Sequence, residues 1–191
     1  FNYRAFRYVK VSGLSKAPAA ADASATLIST DTPRTSRFEC SDPVLNRLYE
    51  TVVHTHRCLT LGGIQVDCPH RERLGYGAEG QATLGEGLYN FDTGAFYAKW
   101  TRDFHDGQDA DSGSIPYTAP FRIASGGGPA WPAAIITFPH EVHRFYGDRR
   151  VLEEHYEAMK RWTAFLETKT ENGIFRRFQL REGPETPWEF L

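Results

Sequence analysis

The sequence predicts a mainly α-helical fold, an array of helical hairpins preceded by a few β-strands. Three observations lead to that class. From Ser41 onward, apolar residues recur at helical spacing in five successive segments. Short and long connections alternate between those segments. Before Ser41 the helical period is missing, and short runs of aromatic and β-branched residues stand in its place.

Residues 3–12 mix aromatic and β-branched types and read as a strand ended by Gly13. Leu14 to Ala25, rich in Ala, Ser and Pro, reads as a loop, and Thr26 to Thr30 and Arg37 to Cys40 as two further short strands. So few strands do not make a stable sheet alone. Residues 1–40 are therefore expected to be the end of a β-domain with its linker, and residues 41–191 a separate helical unit.

Ser41-Asp42-Pro43 is a helix start, because a side-chain oxygen caps free amides and Pro suits the first turn. Leu45, Leu48, Tyr49, Val52 and Val53 then predict a helix over about 43–57 with that apolar stripe. Residues 58–78 lack the period and read as a long ordered loop, a place where function tends to sit. A second helix is expected from Glu79 to Tyr89, and a third, capped by Asp92, carries Phe96, Tyr97, Trp100 and Phe104 on one face. Residues 105–130 form a second long loop, ending in Gly126-Gly127-Gly128-Pro129. A fourth helix bears Phe138, Val142, Phe145 and Tyr146 and stops at Gly147-Asp148. The fifth is expected at about 149–168, running through Leu152, His155, Tyr156, Met159, Trp162 and Leu166. The remainder, with Gly173, Gly183, Pro184 and Pro187, reads as irregular or hairpin-like.

Composition narrows the function. The 191 residues are 40% hydrophobic, enough to bury a core. A formal net charge of −2 without a basic block argues against nucleic acid as a partner. No run is long and apolar enough to span a bilayer. Cys40, Cys58 and Cys68 give an odd count, which is not a disulfide framework. The chain starts at Phe1 and its only methionine is Met159, so it reads as a piece of a longer protein. The aromatic content of 14% suits both a core and a pocket for sugar rings.

The segment Asp67 to Glu79 concentrates three carboxylates, two arginines and an aromatic in a loop punctuated by glycines. Glycosidic bond cleavage needs two carboxyl groups and partners for sugar hydroxyls; this loop offers an acid and such partners. The plainer reading is a solvated charged loop. A rival set, His54, His56, Cys58, Cys68 and His70, contains zinc-ligand types, but its spacing is irregular and His54 and His56 do not share a helix face. Cys68 with His70 as a nucleophile pair is weaker still. Neither metal nor cofactor is expected.

The stretch DCPHRERLGYGAEGQ, residues 67–81, closely resembles the signature of the α-L-rhamnosidases, inverting glycoside hydrolases built on a six-hairpin α/α toroid. Residues 6–14, FRYVKVSGL, resemble the strand that ends the preceding β-sandwich domain. Residues 38–57, FECSDPVLNRLYETVVHTHR, resemble the entry into the toroid, and GGGPAW at 126–131 and HRFYGDRRVLEEHYEAMKRW at 143–162 resemble its later helices. The resemblance implies an incomplete toroid, since five helices are fewer than six hairpins require. It implies Glu72 as the general acid, Asp67 as a holder of rhamnose hydroxyls, and Glu79, at a position usually Asp, as a member of the same acidic site. It implies Arg71 as an orienting partner, with Tyr76, where the family often has Trp, and Trp131 lining the pocket. Pro132, Ala133 and Ala134 replace an acidic residue that many members carry. The general base is implied to lie beyond Leu191, so the remainder of the parent chain is needed, and the isolated chain is expected to be inactive. The substrate implied is a rhamnose-containing glycoside or polysaccharide; a non-catalytic sugar-binding or scaffold piece, or a toroid glycosidase for another sugar, remains the alternative. Because Arg71 and Arg73 flank Glu72, their guanidinium heads are expected to turn away, or Asp67 and Glu79 to outweigh them, so that the acid keeps its proton.

Overall fold

The structure, a computed structural model, describes residues 3–121 and 128–175. The chain contains α1 (Pro43–Leu59), β1 (Thr60–Leu61), β2 (Ile64–Gln65), α2 (Gly77–Asn90), α3 (Gly94–Asp106), α4 (Ala134–Tyr146), α5 (Arg150–Glu167), β3 (Thr170–Glu171) and β4 (Ile174–Phe175). The two strand pairs are separate antiparallel ribbons, Thr60 opposite Gln65 and Thr170 opposite Phe175. Residues Gly183, Pro184 and Pro187 lie outside the described residues. No helix among the described residues is long and apolar enough to cross a membrane.

The five expected helices are present within a few residues of their predicted bounds. Asp42 caps α1 by accepting from the Val44 amide at 2.8 Å, with Pro43 in the first turn. Asp92 does not cap α3. The N-cap is Thr93, and its amide donates to the Tyr146 hydroxyl of α4 at 2.9 Å, so a tertiary contact replaces the side-chain cap. The chain leaves α4 at Gly147, which is left-handed.

Residues 58–78 are not wholly loop. Gly62 and Gly63, both with positive φ, turn the chain between β1 and β2. A two-residue hairpin turn matching strand twist needs that backbone at both positions, which Gly supplies without steric penalty. The N-terminal stretches behave differently from expectation. Residues 3–12, 26–30 and 37–40 form no ladder, and Phe6, Tyr8, Val9 and Val11 are exposed. Their residue types favour extended backbone, but a strand needs a continuous partner edge, and these stretches make only single backbone bonds, Ala5 N–H to Pro69 O and Thr30 N–H to Thr60 O.

The core is aromatic. Trp100, Phe104, Phe138 and Trp162 have no exposed surface, and Tyr97 joins them. Each such side chain contributes about 1.5–3 kcal/mol on burial. Helix α4 packs against α2, α3 and α5, which places its Phe138 among Tyr97, Trp100 and Phe104. Gly80 makes this approach possible, because a Cβ there would meet the Trp100 and Phe138 rings at 2.6 and 2.7 Å.

Two of the sequence stripes are only partly buried. On α5 the buried line is Val151, His155, Ala158, Trp162 and Phe165, whereas Tyr156 is 59% exposed. On α1 only Val53 and His56 are buried, and Leu45, Leu48 and Val52 face solvent. The α1 stripe is correct as a period but uncovered as a surface.

The short connections, 91–93 and 147–149, lie at one end of the array, and the long ones lie at the other. Tyr76 and Thr118 form an antiparallel bridge there, flanked by Gly77 N–H to Tyr117 O and Ala119 N–H to Gly75 O, each 3.0 Å. The Trp100 indole on α3 donates to the Ala119 carbonyl at 2.9 Å, tying the second long loop to the core. The acidic segment is thus built at the long-loop end.

Candidate active site

The loop from Val66 to Tyr76 is closed on itself by backbone. Asp67 and Leu74 exchange two bonds: the Asp67 amide donates to the Leu74 carbonyl at 3.0 Å, and the Leu74 amide donates to Asp67 Oδ1 at 2.9 Å. Within that neck, the Cys68 carbonyl accepts from the amides of Arg71 and Arg73. Asp67, Cys68 and Glu72 each present a donor atom within 4.8 Å of the others. The Cys68 thiol hydrogen-bonds to Glu72, and burial beside Asp67 and Glu72 pushes the thiol up.

The two arginines take opposite directions. Arg73 has a left-handed backbone, φ 58°, and its guanidinium donates to the Tyr3 carbonyl at 2.9 Å and lies over the Tyr3 ring. Arg71 stays, 2.6 Å from Glu72 Oε1. That ion pair, helped by a hydrogen bond with Asp67, holds Glu72 down at about 2. The expectation that both heads turn away is therefore corrected for Arg71. It sits on the same tight turn as Glu72, and its carboxylate partner offers more than solvent does. Arg71 remains largely exposed at 70%, so its head is free to exchange partners.

Glu79 lies in the first turn of α2. A helix N-terminus favours a carboxylate, and the Trp131 side chain also favours the charged form, but burial outweighs both and pushes Glu79 above the usual range, with Asp67 and Glu72 adding repulsion. Its Oε2 is buried without a protein partner, as is Glu72 Oε2. Tyr76, the N-cap of α2, is half-buried, and burial raises its phenol. Trp131 approaches through its backbone. Its carbonyl lies where a Cβ on Gly77 would be, so only Gly at 77 allows the contact.

Asp67, Glu72, Arg71, Tyr76, Glu79 and Trp131 are thus brought to one end of the array, with Arg71 and Glu72 in direct contact and Trp131 near enough to influence Glu79. The zinc-type set is not gathered. Cys58 and His54 contact each other at 3.4 Å on α1, and buried His56 pairs with Glu86 at 2.6 Å and stacks on Phe91. Among the described residues the one group with ligand geometry is Asp67, Cys68 and Glu72. Gln81, not singled out by sequence reasoning, donates to main-chain carbonyls beside Trp131. Its place one helical turn after Gly77 is the signal that would have found it.

Residues 33–183 match the family model described as the bacterial alpha-L-rhamnosidase 6 hairpin glycosidase domain. An alpha-L-rhamnosidase of Formosa agariphila is 34% identical over 92% of the chain, and one of Streptomyces avermitilis is 32% identical over 92%. The chain spans 20% and 17% of those two relatives. Among solved structures, an alpha-L-rhamnosidase from Dictyoglumus thermophilum superposes with a TM-score of 0.71 at 30% identity, covering 78% of this chain and 17% of that one. The Streptomyces avermitilis enzyme, complexed with L-rhamnose, gives 0.70 at 29% identity, covering 75% and 14%. The helical hairpins are accordingly part of an α/α toroid, and the chain belongs to the bacterial α-L-rhamnosidase six-hairpin glycosidase family.

Proposed function

We propose that the protein hydrolyses terminal α-L-rhamnosyl bonds with inversion and that this segment supplies the acid side of the reaction. The observation that carries this reading is the acidic loop at 67–79, with Glu72 beside Arg71 and Asp67, set on a chain of this family. Glu72 gives its proton to the glycosidic oxygen as the bond to C1 breaks, and a water attacks C1 from the other face after losing a proton to a base. Asp67 is too close to be that base. Its oxygen lies within 4.8 Å of Glu72, whereas inverting pairs stand roughly 6.5–9.5 Å apart. Asp67 is therefore not read as the base, and we place the base on a later part of the parent chain, as the family resemblance implies. Asp67 and Glu79 hold sugar hydroxyls, Tyr76 and Trp131 form apolar walls suited to the C6 methyl of rhamnose, and residues 1–40 lead in from a preceding domain.

Glu72 must be protonated to act. The exposed Arg71 head is the group that has to let go, and an entering sugar with hydroxyls to offer is the natural competitor. A second reading gives the proton to Glu79, because burial already favours its neutral form.

The test is hydrolysis of a natural rhamnoside by the full-length protein, followed by proton NMR of the first product. Release of the β anomer from an α-linked substrate supports the reading. Release of the α anomer would replace inversion by retention, and retention of rhamnose without turnover would leave a sugar-binding protein.

A further inference from the structure

Trp131 is gripped from two positions on α2. Its side chain interacts with the Glu79 carboxylate and favours that group's charged form. Its main chain is held by the amide of Gln81, whose Nε2 lies 2.5 Å from the Ala130 carbonyl, 3.5 Å from the Trp131 carbonyl and 3.3 Å from the Gly77 carbonyl. Three acceptors converge on one side-chain nitrogen. An amide oxygen turned that way would face three carbonyl oxygens, so the orientation of the amide follows from the chemistry of its surroundings. Gly77 completes the grip, because its missing Cβ is the space that the Trp131 carbonyl occupies. Glu79, Gln81 and Gly77 thus fix both ends of one residue from a single helix.

We propose that Gln81 is a positioning residue for the sugar pocket, its amide pinning the Ala130–Trp131 main chain to α2 so that the Trp131 indole stays against Glu79. The inference rests on the reading above that Trp131 and Glu79 line the rhamnose site. Gln81 touches no reacting atom in this scheme. Its effect reaches the substrate through Trp131, and so belongs in binding more than in the chemical step.

The test uses the full-length protein with Q81M, which keeps the stem and removes the donors, and Q81K, whose ammonium can donate to the same carbonyls. Q81M is expected to raise KM for an aryl rhamnoside roughly three- to tenfold, the span of one lost hydrogen bond, with kcat within about twofold. Q81K is expected to stay near wild type. In a W131F background, Q81M should raise KM no further, because the residue through which it acts is gone. Iodide quenching of the Trp131 fluorescence, taken as the difference between wild type and W131F, should increase in Q81M. That readout needs no substrate, and it still decides the matter if the wild-type protein proves inactive. Should Q81M fail to fold, Q81A against Q81K carries the same comparison. Unchanged KM and unchanged quenching in a folded Q81M would overturn the proposal, as would a lowered melting temperature with KM untouched. Absence of rhamnoside turnover in wild type would instead remove the rhamnosidase reading and leave the grip to the quenching result.

Discussion

Arg71 holds Glu72 ionised at 2.6 Å, while burial pushes Glu79 toward its neutral form. The two carboxyls therefore titrate in opposite directions from the ordinary value, and each direction has a measurable consequence. Glu79 has a folded value above its unfolded one, so its contribution to stability is present at low pH and is lost as pH rises through the folded value. E79Q removes that loss. It should raise the melting temperature relative to wild type at pH 7, with the gain vanishing near pH 4; an equal or lower melting temperature at pH 7 would mean that Glu79 is not strained by burial. Glu72 is the reverse case, with stability lost as pH falls toward about 2. R71M should move the alkaline limb of the kcat/KM profile upward, since the acid would then keep its proton to higher pH. An unmoved limb would show that Arg71 does not govern the acid. The residues proposed for the site were legible as a motif: carboxylates, arginines and glycines at fixed spacing. Which arginine faces Glu72 was not legible, because that depends on the left-handed backbone at Arg73 and on Tyr3, far away in sequence.

At the level of helices and hairpins, the periodic segments were readable because 3.6-residue spacing of apolar side chains encodes one buried face. The β1–β2 ribbon was readable too, as Gly62-Gly63 between Leu61 and Ile64, but glycines in a functional loop drew attention away from their hairpin role. Packing between helices was not readable. Gly80 looks like a weak helix former, yet it is the contact point of α2 with Trp100 and Phe138. G80A should destabilise the domain by about 1–3 kcal/mol through overpacking, despite the better helix propensity of Ala. Urea denaturation measures it, and a stabilised variant would contradict the close approach. Helices α3 and α5 are joined by His105 and buried His155, whose Nδ1 atoms are 3.0 Å apart. One ring must donate and the other accept, so both cannot be charged. Burial lowers His155, with Glu154 and Asp106 opposing and His105 and Arg102 reinforcing. Its stabilising effect is thus present above the ordinary imidazole value and lost as pH falls below it. Melting temperature should drop between pH 7.5 and 5.5, and H155Q should flatten that slope; an equally steep slope in the variant would assign the acid sensitivity elsewhere.

Taken whole, the array is a sector of a ring whose first helix has an uncovered side. Val44, Leu45, Leu48 and Val52 on α1 are 71%, 48%, 57% and 41% exposed. A contiguous apolar surface of this kind drives association. The isolated 191-residue chain should self-associate in light scattering and hydrolyse no rhamnoside, whereas a monodisperse monomer with turnover would contradict both the open ring and the proposed placement of the base on another part of the parent chain. Sequence reading anticipated the ring through its motif, but not which stripe would stay bare, since periodicity marks a face without naming its partner. Whether Glu72 delivers the proton is decided by E72Q in the full-length protein on paired substrates. A natural rhamnoside, whose leaving group needs protonation, should lose roughly 10²–10⁴-fold in kcat. An activated aryl rhamnoside should lose far less. Near-wild-type turnover of the natural rhamnoside by E72Q, with the loss appearing in E79Q instead, would contradict the assignment and give the proton to Glu79.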